Sequence, residues 1–455
     1  MTKSQSETAK IALLTRRSLL RGAAAGAAGM TVARFGFTPA IAQEPITVTI
    51  LCADIFKMAE SYAATEMPED DGRWAVPQFL MMQKWKEKYP DVKLNIQEVP
   101  FSGITQRVIL DSQSGNQADL CYINDLNIPK LAGGGFLKPL DDFDGHWDEY
   151  NQYLLRGIAS SGGKIYGMPT VTDCRHEMYW KADFEKAGIK EPASTWAEFA
   201  DQLSALKDAG IESPYAHWSG NSVHTPTQSV FSQLWMLGGN VIGEDLRATL
   251  NTPEMHKVFE FYNDLHNVRK VVRSDIVSIS SDDEYGALIR QHKVSAIKSG
   301  SWLWSQLTKD GVQDQLGVFR TPRPTADAPD ATLSGFWAFE MPDRPDRNPD
   351  VEKMAFEFAN FYTSVEGQTL IIDKKAGQLP TRTPVLDAPE AKSKDDIWQF
   401  QAKYAAEAGR GMPPASDSGL LFDQLRIAFQ TYITGAASAE AALKAAETAY
   451  NTQIG

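Results

Sequence analysis

Several side chains able to bind ligands stand directly after apolar, β-branched runs. Asp54 follows Ile46-Thr47-Val48-Thr49-Ile50-Leu51-Cys52, and Asn124-Asp125 follow Asp119-Leu120-Cys121-Tyr122-Ile123. Polar groups at the carboxyl ends of parallel strands are placed to meet a ligand. Asn124 and Asp125 serve equally as a cap for the next helix. Asp173-Cys174-Arg175 sets an acid and a base two residues apart, suited to charge-assisted bonds with hydroxyls or to a plain ion pair. Trp218 lies in His217-Trp218-Ser219-Gly220, Trp302 follows Gly300-Ser301, and Trp337 follows Gly335-Phe336. An indole on a glycine-bearing turn can offer its flat face to a ligand, although most tryptophans fill cores. Trp85, Trp196, Trp235 and Trp304 sit on apolar faces and read as core. Arg382 can bond a hydroxyl or carboxylate, or brace the chain.

The motifs of several enzyme classes are missing. There is no Gly-x-Ser-x-Gly elbow, P-loop, CxxC or HExxH, and the seven histidines are scattered. No metal site and no cofactor are expected. A glycoside hydrolase would need two carboxylates about 5–10 Å apart, which a sequence rich in acids neither supplies nor excludes. Net charge is −13 over 455 residues, and the isoelectric point is near 5.1. That balance argues against nucleic acid and against an anionic membrane surface. Cys52, Cys121 and Cys174 read as small buried hydrophobes, with a Cys52–Cys121 bridge as the alternative.

Positioning these residues requires strands that alternate with helices. Val92–Gln97 reads as a strand after a helix carrying Phe79, Met82 and Trp85, and a further helix ends at Ser114-Gly115. The βαβ order predicts a parallel sheet. Gly163–Pro169 reads as a hairpin-like element, and Glu177–Trp180 and Val294–Ile297 as strands. Thr195-Trp196-Ala197-Glu198 is a capping box. Thr252-Pro253 and Asn348-Pro349 open helices, Thr363 caps another, and Ser438–Tyr450 forms a last one. Arg320–Ala331 is a proline-rich loop.

The N-terminus carries Thr15-Arg16-Arg17-Ser18-Leu19-Leu20, an Ala/Gly-rich run and Pro39-Ala40-Ile41-Ala42. Paired arginines, a soft apolar stretch and a small-x-small end resemble a twin-arginine export signal over residues 1–42. Removing it leaves 39 basic and 57 acidic residues, a net of −18.

Five stretches, in order, carry a family resemblance. They are Trp85–Leu94, Ala118–Tyr122, Gly163–Pro169 through Phe184–Ile189, Ala296–Trp302 and Gly377–Arg382. Together they resemble the extracellular solute-binding proteins of ABC importers, in the carbohydrate-binding class similar to maltose-binding protein. The resemblance implies an α/β, two-lobed periplasmic-binding-protein fold, each lobe a mainly parallel sheet flanked by helices, with a hinge between. It places the first lobe at 44–170 with 333–376 and the second at 171–332 with 377–455. It also implies a monomer in the periplasm that binds a sugar or polyol and meets an inner-membrane ABC permease, and no enzymatic activity. A sugar needs aromatic faces and bidentate polar groups. The resemblance directs Asn124, Asp125, Asp173, Arg175 and Trp302 toward the cleft, and Asp54, Trp218, Trp337 and Arg382 join them as candidates. A phosphorylated polyol stays open, because Arg175 and Arg382 can clamp a phosphate.

Overall fold

The computed structural model describes residues 45–70, 74–100, 103–157, 159–243, 245, 247–374, 377–413 and 415–454. The twin-arginine segment lies outside them. Apolar runs become buried strands. Ile46–Ala53 lies beside Val92–Val99 and Leu120–Asn124, parallel to both. Phe336–Glu340 then enters between Leu120–Asn124 and Gly167–Thr172, antiparallel to each, and Leu379–Pro380 closes the edge. This six-stranded sheet and its helices enclose a core that includes Tyr122, Trp85, Phe339, Phe358 and Tyr362.

A second, four-stranded sheet has the order Leu316–Phe319, Arg175–Trp180, Ala296–Gly300, Tyr215–Ala216. Its core gathers Trp218, Phe231, Phe259, Tyr262, Tyr285 and Phe429. The molecule is thus a two-lobed α/β protein. The expected parallel order holds for the first three strands. It gives way where the chain crosses between sheets, because Phe336–Glu340 returns against its neighbours, and Arg175–Trp180 runs antiparallel to Ala296–Gly300.

Local sequence signals explain the helix ends. The Thr195 hydroxyl accepts from Glu198 N, and the Glu198 carboxylate accepts from Thr195 N, completing the capping box. Thr252, Asn348 and Ser438 cap their helices through side-chain acceptors. The helix Val365–Lys374 differs from expectation. Ser364 Oγ accepts from Gly367 N, while Thr363 turns its hydroxyl back onto Ala359 O and finishes the preceding helix. Gly210 ends its helix at φ +86°, a conformation that suits glycine. All three cysteines are buried and unpaired, so no Cys52–Cys121 bridge forms. Among the described residues no helix is long and apolar enough to cross a membrane.

Candidate ligand-binding site

Topology brings the candidate residues to one edge of each sheet. Ile46–Ala53, Leu120–Asn124 and Gly167–Thr172 run the same way, so Asp54, Asn124, Asp125 and Asp173 emerge at a common edge. The antiparallel strand beginning at Phe336 starts there, which puts Gly335 and Trp337 beside them. In the second sheet Arg175 pairs with Gly300, and Tyr215–Ala216 runs parallel to the same strand. Arg175, Trp302 and Trp218 therefore share an edge as well.

Two short crossings join the edges. Thr332 Oγ1 accepts from Arg175 N at 2.9 Å and donates to Arg175 O at 2.6 Å. Gly335 N donates to Asp173 Oδ1 at 3.1 Å. The segments 173–175 and 332–335 are thereby locked into one unit.

Within that unit Asp173 forms an ion pair with Arg175. The Arg175 guanidinium carbon stands 4.7 Å from the centroid of the Trp302 ring. Asp125 is 4% exposed. Burial pushes its carboxyl up to about 7, and the neighbouring Asp173 charge pushes the same way while Arg175 opposes. Asp125 Oδ2 and Arg175 Nε have no hydrogen-bond partner, nor do the buried hydroxyls of Ser301 and Ser334. Unsatisfied buried groups are costly. Two of these residues, Asp125 and Arg175, flank Gly335 at the crossing, while Ser334 Oγ faces Gly409 beside a separate cavity lined by Tyr153, Leu379 and Arg382.

Beside them lies a small recess lined by Trp218, Asp282, Tyr285, Ser299, Trp302 and Gln306. His224 Nε2 lies 3.1 Å from Asp282 Oδ1. Trp302 is half-buried at this recess. Trp218 is 1% exposed and stacked on Tyr285, with centroids 4.2 Å apart, so it forms the wall more than a platform. Trp337 stands opposite Asn124 in register and meets Phe56 edge to face at 4.5 Å. Asn124 Oδ1 accepts from Asn127 Nδ2, a local turn contact. Asp54 is exposed at the end of its strand.

Arg382 is the candidate the structure takes away from the cleft chemistry. It is 2% exposed and binds Glu149 at 2.8 Å, Gly145 O and Asn360 Oδ1, with its guanidinium over Tyr150. Its Nη1 and Nη2 donors hold Glu149, Gly145 and Asn360, because it follows the Leu379–Pro380 edge strand into the interior, while Nε keeps no hydrogen-bond partner. Trp85, Trp235 and Trp304 are buried in the cores, and Trp196 packs flat on Phe261. His224, Asp282, Tyr285, Gln306 and Gly335 were not picked out from the sequence. Only Ser281-Asp282-Asp283-Glu284, a capped acidic first turn, carried a visible signal there.

The family model described as bacterial extracellular solute-binding protein matches residues 75–369. The chain belongs to this family. Its match to curated relatives is partial. A binding protein of Brucella abortus is 25% identical over 250 residues, covering 54% of this chain and 60% of its own length. The diacetylchitobiose binding protein DasA of Streptomyces coelicolor is 24% identical over 256 residues, covering 54% of this chain and 56% of its own. The chain thus spans about three fifths of those relatives. Among solved structures, maltose-bound MalE3 of T. maritima superposes with a TM-score of 0.73 at 18% identity, over 90% of this chain and all of that one. A solute-binding protein of Thermotoga lettingae bound to α-D-tagatose gives 0.71 at 23% identity, with 90% and 100% coverage. These likenesses establish the two-lobed fold of the solute-binding family.

Proposed function

We propose that this solute-binding protein captures a sugar or related polyol in the cleft between its lobes and delivers it to an ABC permease in the inner membrane. The observation that carries the reading is the meeting of Asp125 and Arg175, each with an unsatisfied polar atom, at the crossing beside the indole of Trp302. Hydroxyls satisfy such atoms, and the C–H face of a sugar ring covers an indole. The names of the similar proteins, which bind maltose, tagatose and diacetylchitobiose, support the same class. The phosphorylated-polyol reading loses support, since Arg382 is committed to Glu149 and Arg175 to Asp173.

The lobes in this reading are 44–170 with 333–376 and 171–332 with 377–455, closing on ligand about the crossings as a monomer. Delivery to the periplasm runs through the twin-arginine segment; replacing Arg16 and Arg17 with Lys should stop it, and normal export of that variant would defeat the route.

A hydrolase reading has one observation in its favour, the raised Asp125 carboxyl beside Asp173. Both readings meet in one experiment. A thermal-shift panel of neutral sugars and alditols should find a ligand whose saturation at 100 times Kd adds about 2.7 kcal/mol of stability. That ligand should be recovered intact after long incubation. Cleaved product in excess of protein would establish the enzyme instead.

A further inference from the structure

The crossing has a second face. A methyl group built on Gly335 would meet Arg175 and Asp125, whereas the hydroxyl of Ser334, the residue before it, faces Gly409. Ser334 and Gly409 line a cavity of about 360 Å³, a size that holds a compact small molecule. Its lining shares no residue with the recess at Trp302. One wall comes from the helix Gln152–Gly157, whose Leu154 packs in the first core, and another from the helix Asp396–Ala408. Tyr153 Oη accepts from Gly411 N at 2.7 Å and ties the two sides together.

The interior is apolar with two polar points. Leu154, Leu379, Leu386, Ala402 and Ala405 supply apolar surface. The polar points are Ser334 Oγ and Arg382 Nε, on residues 1% and 2% exposed, and neither atom has a hydrogen-bond partner. The other Arg382 nitrogens hold Glu149, Gly145 O and Asn360. A guanidinium N–H only donates, and a serine hydroxyl can donate as well. Two buried donors without acceptors are costly, so the fitting occupant is one that brings acceptors.

The surrounding charges favour an anion. Glu149 offsets Arg382, and Glu407 at the cavity is held by Arg320. Arg410, which follows Gly409, adds a further positive charge near Tyr153. A carboxylate brings two acceptor oxygens, and its bond to a guanidinium is charge-assisted.

We propose that this cavity is a second small-molecule site, which takes a compact monocarboxylate with its oxygens on Ser334 Oγ and Arg382 Nε and its apolar body against Leu154, Leu379, Leu386 and Ala402. The site is separate from the sugar cleft and does not depend on sugar capture.

Calorimetric titration of the full chain with hexanoate and benzoate tests it, beside hexanamide and benzamide as neutral partners and succinate as an acid without an apolar body. At least one of the two monocarboxylates should bind with a Kd of about 1 mM or tighter. Its amide and succinate should each bind at least about tenfold more weakly. Ser334→Ala removes a donor and should weaken the acid about tenfold. Ala402→Leu fills the cavity and should abolish its binding, with circular dichroism confirming the fold. Should one variant fail to fold, the other decides. No heat from either acid overturns the site, since water alone then satisfies the donors. Full affinity in both folded variants places the acid elsewhere and overturns it equally. An amide as tight as its acid overturns the anion class, and succinate as tight as the monocarboxylates overturns the apolar body.

Discussion

The guanidinium of Arg175 lies over the ring of Trp302 at 4.7 Å, and Asp173 forms an ion pair with the same guanidinium. Arginine stacks on aromatic faces through its flat, delocalised charge, so the Asp173–Arg175 pair fixes the plane of the indole. A ligand ring then meets an oriented surface.

Truncating that surface should cost binding more than folding. Trp302→Ala removes an aromatic contact worth roughly 1.5–3 kcal/mol on burial, or about 10- to 150-fold in affinity. Its half-buried position predicts a small change in melting temperature. Titration with the sugar found by the thermal-shift panel, beside a melting curve of the same variant, checks both. Unchanged affinity with a sharply lowered melting temperature would return Trp302 to the core.

Trp218 should behave the opposite way. It is buried against Tyr285, and Trp218→Ala opens a cavity that costs about 3–5 kcal/mol. Urea unfolding should show that loss. Ligand affinity in the folded fraction should fall less than for Trp302→Ala.

The contrast between the two tryptophans shows where the sequence was legible. Periodicity and caps located the strands and most helices, because those signals are local. The carboxyl-end rule put Asp54, Asn124 and Asp125 at the ends of their strands for the same reason. Glycine-bearing turns could not separate Trp302 from Trp218, since exposure depends on which helix packs above each. Arg382 looked like a cleft residue until its partners Glu149 and Asn360, distant in sequence, were seen around it.

The second sheet contains a buried ion pair that tests another balance. Lys298 Nζ lies 3.3 Å from Glu177 Oε1 and donates to Thr321 Oγ1, while the Tyr215 hydroxyl donates to Glu177 Oε2. Burial pushes the Glu177 carboxyl up and Lys298 down, and each charge pulls the other back. Lys298→Met alone strands the carboxylate and should cost about 3–5 kcal/mol. The double variant Lys298→Met/Glu177→Leu should recover much of that loss, as measured by a double-mutant cycle in urea. Additive losses would show that the two charges act independently.

Glu340 gives the clearest pH dependence. It is fully buried in the first sheet, and neither carboxyl oxygen has a hydrogen-bond partner. Burial, with Asp125 adding to it, holds its carboxyl well above the usual carboxylate range. The native state therefore keeps a proton that the unfolded chain releases near pH 4.5. The sign follows from linkage. Below that pH both states are protonated and Glu340 adds no pH dependence. As pH rises above it, the native state binds more protons than the unfolded one, and stability falls by up to about 1.4 kcal/mol per pH unit until the native group ionises. Glu340→Gln keeps the shape and removes the titration. Its stability relative to the wild type should rise steadily between pH 5 and pH 8.5, read from urea midpoints at several pH values. A constant difference across that range would mean that Glu340 ionises normally beside a counter-charge in the folded protein.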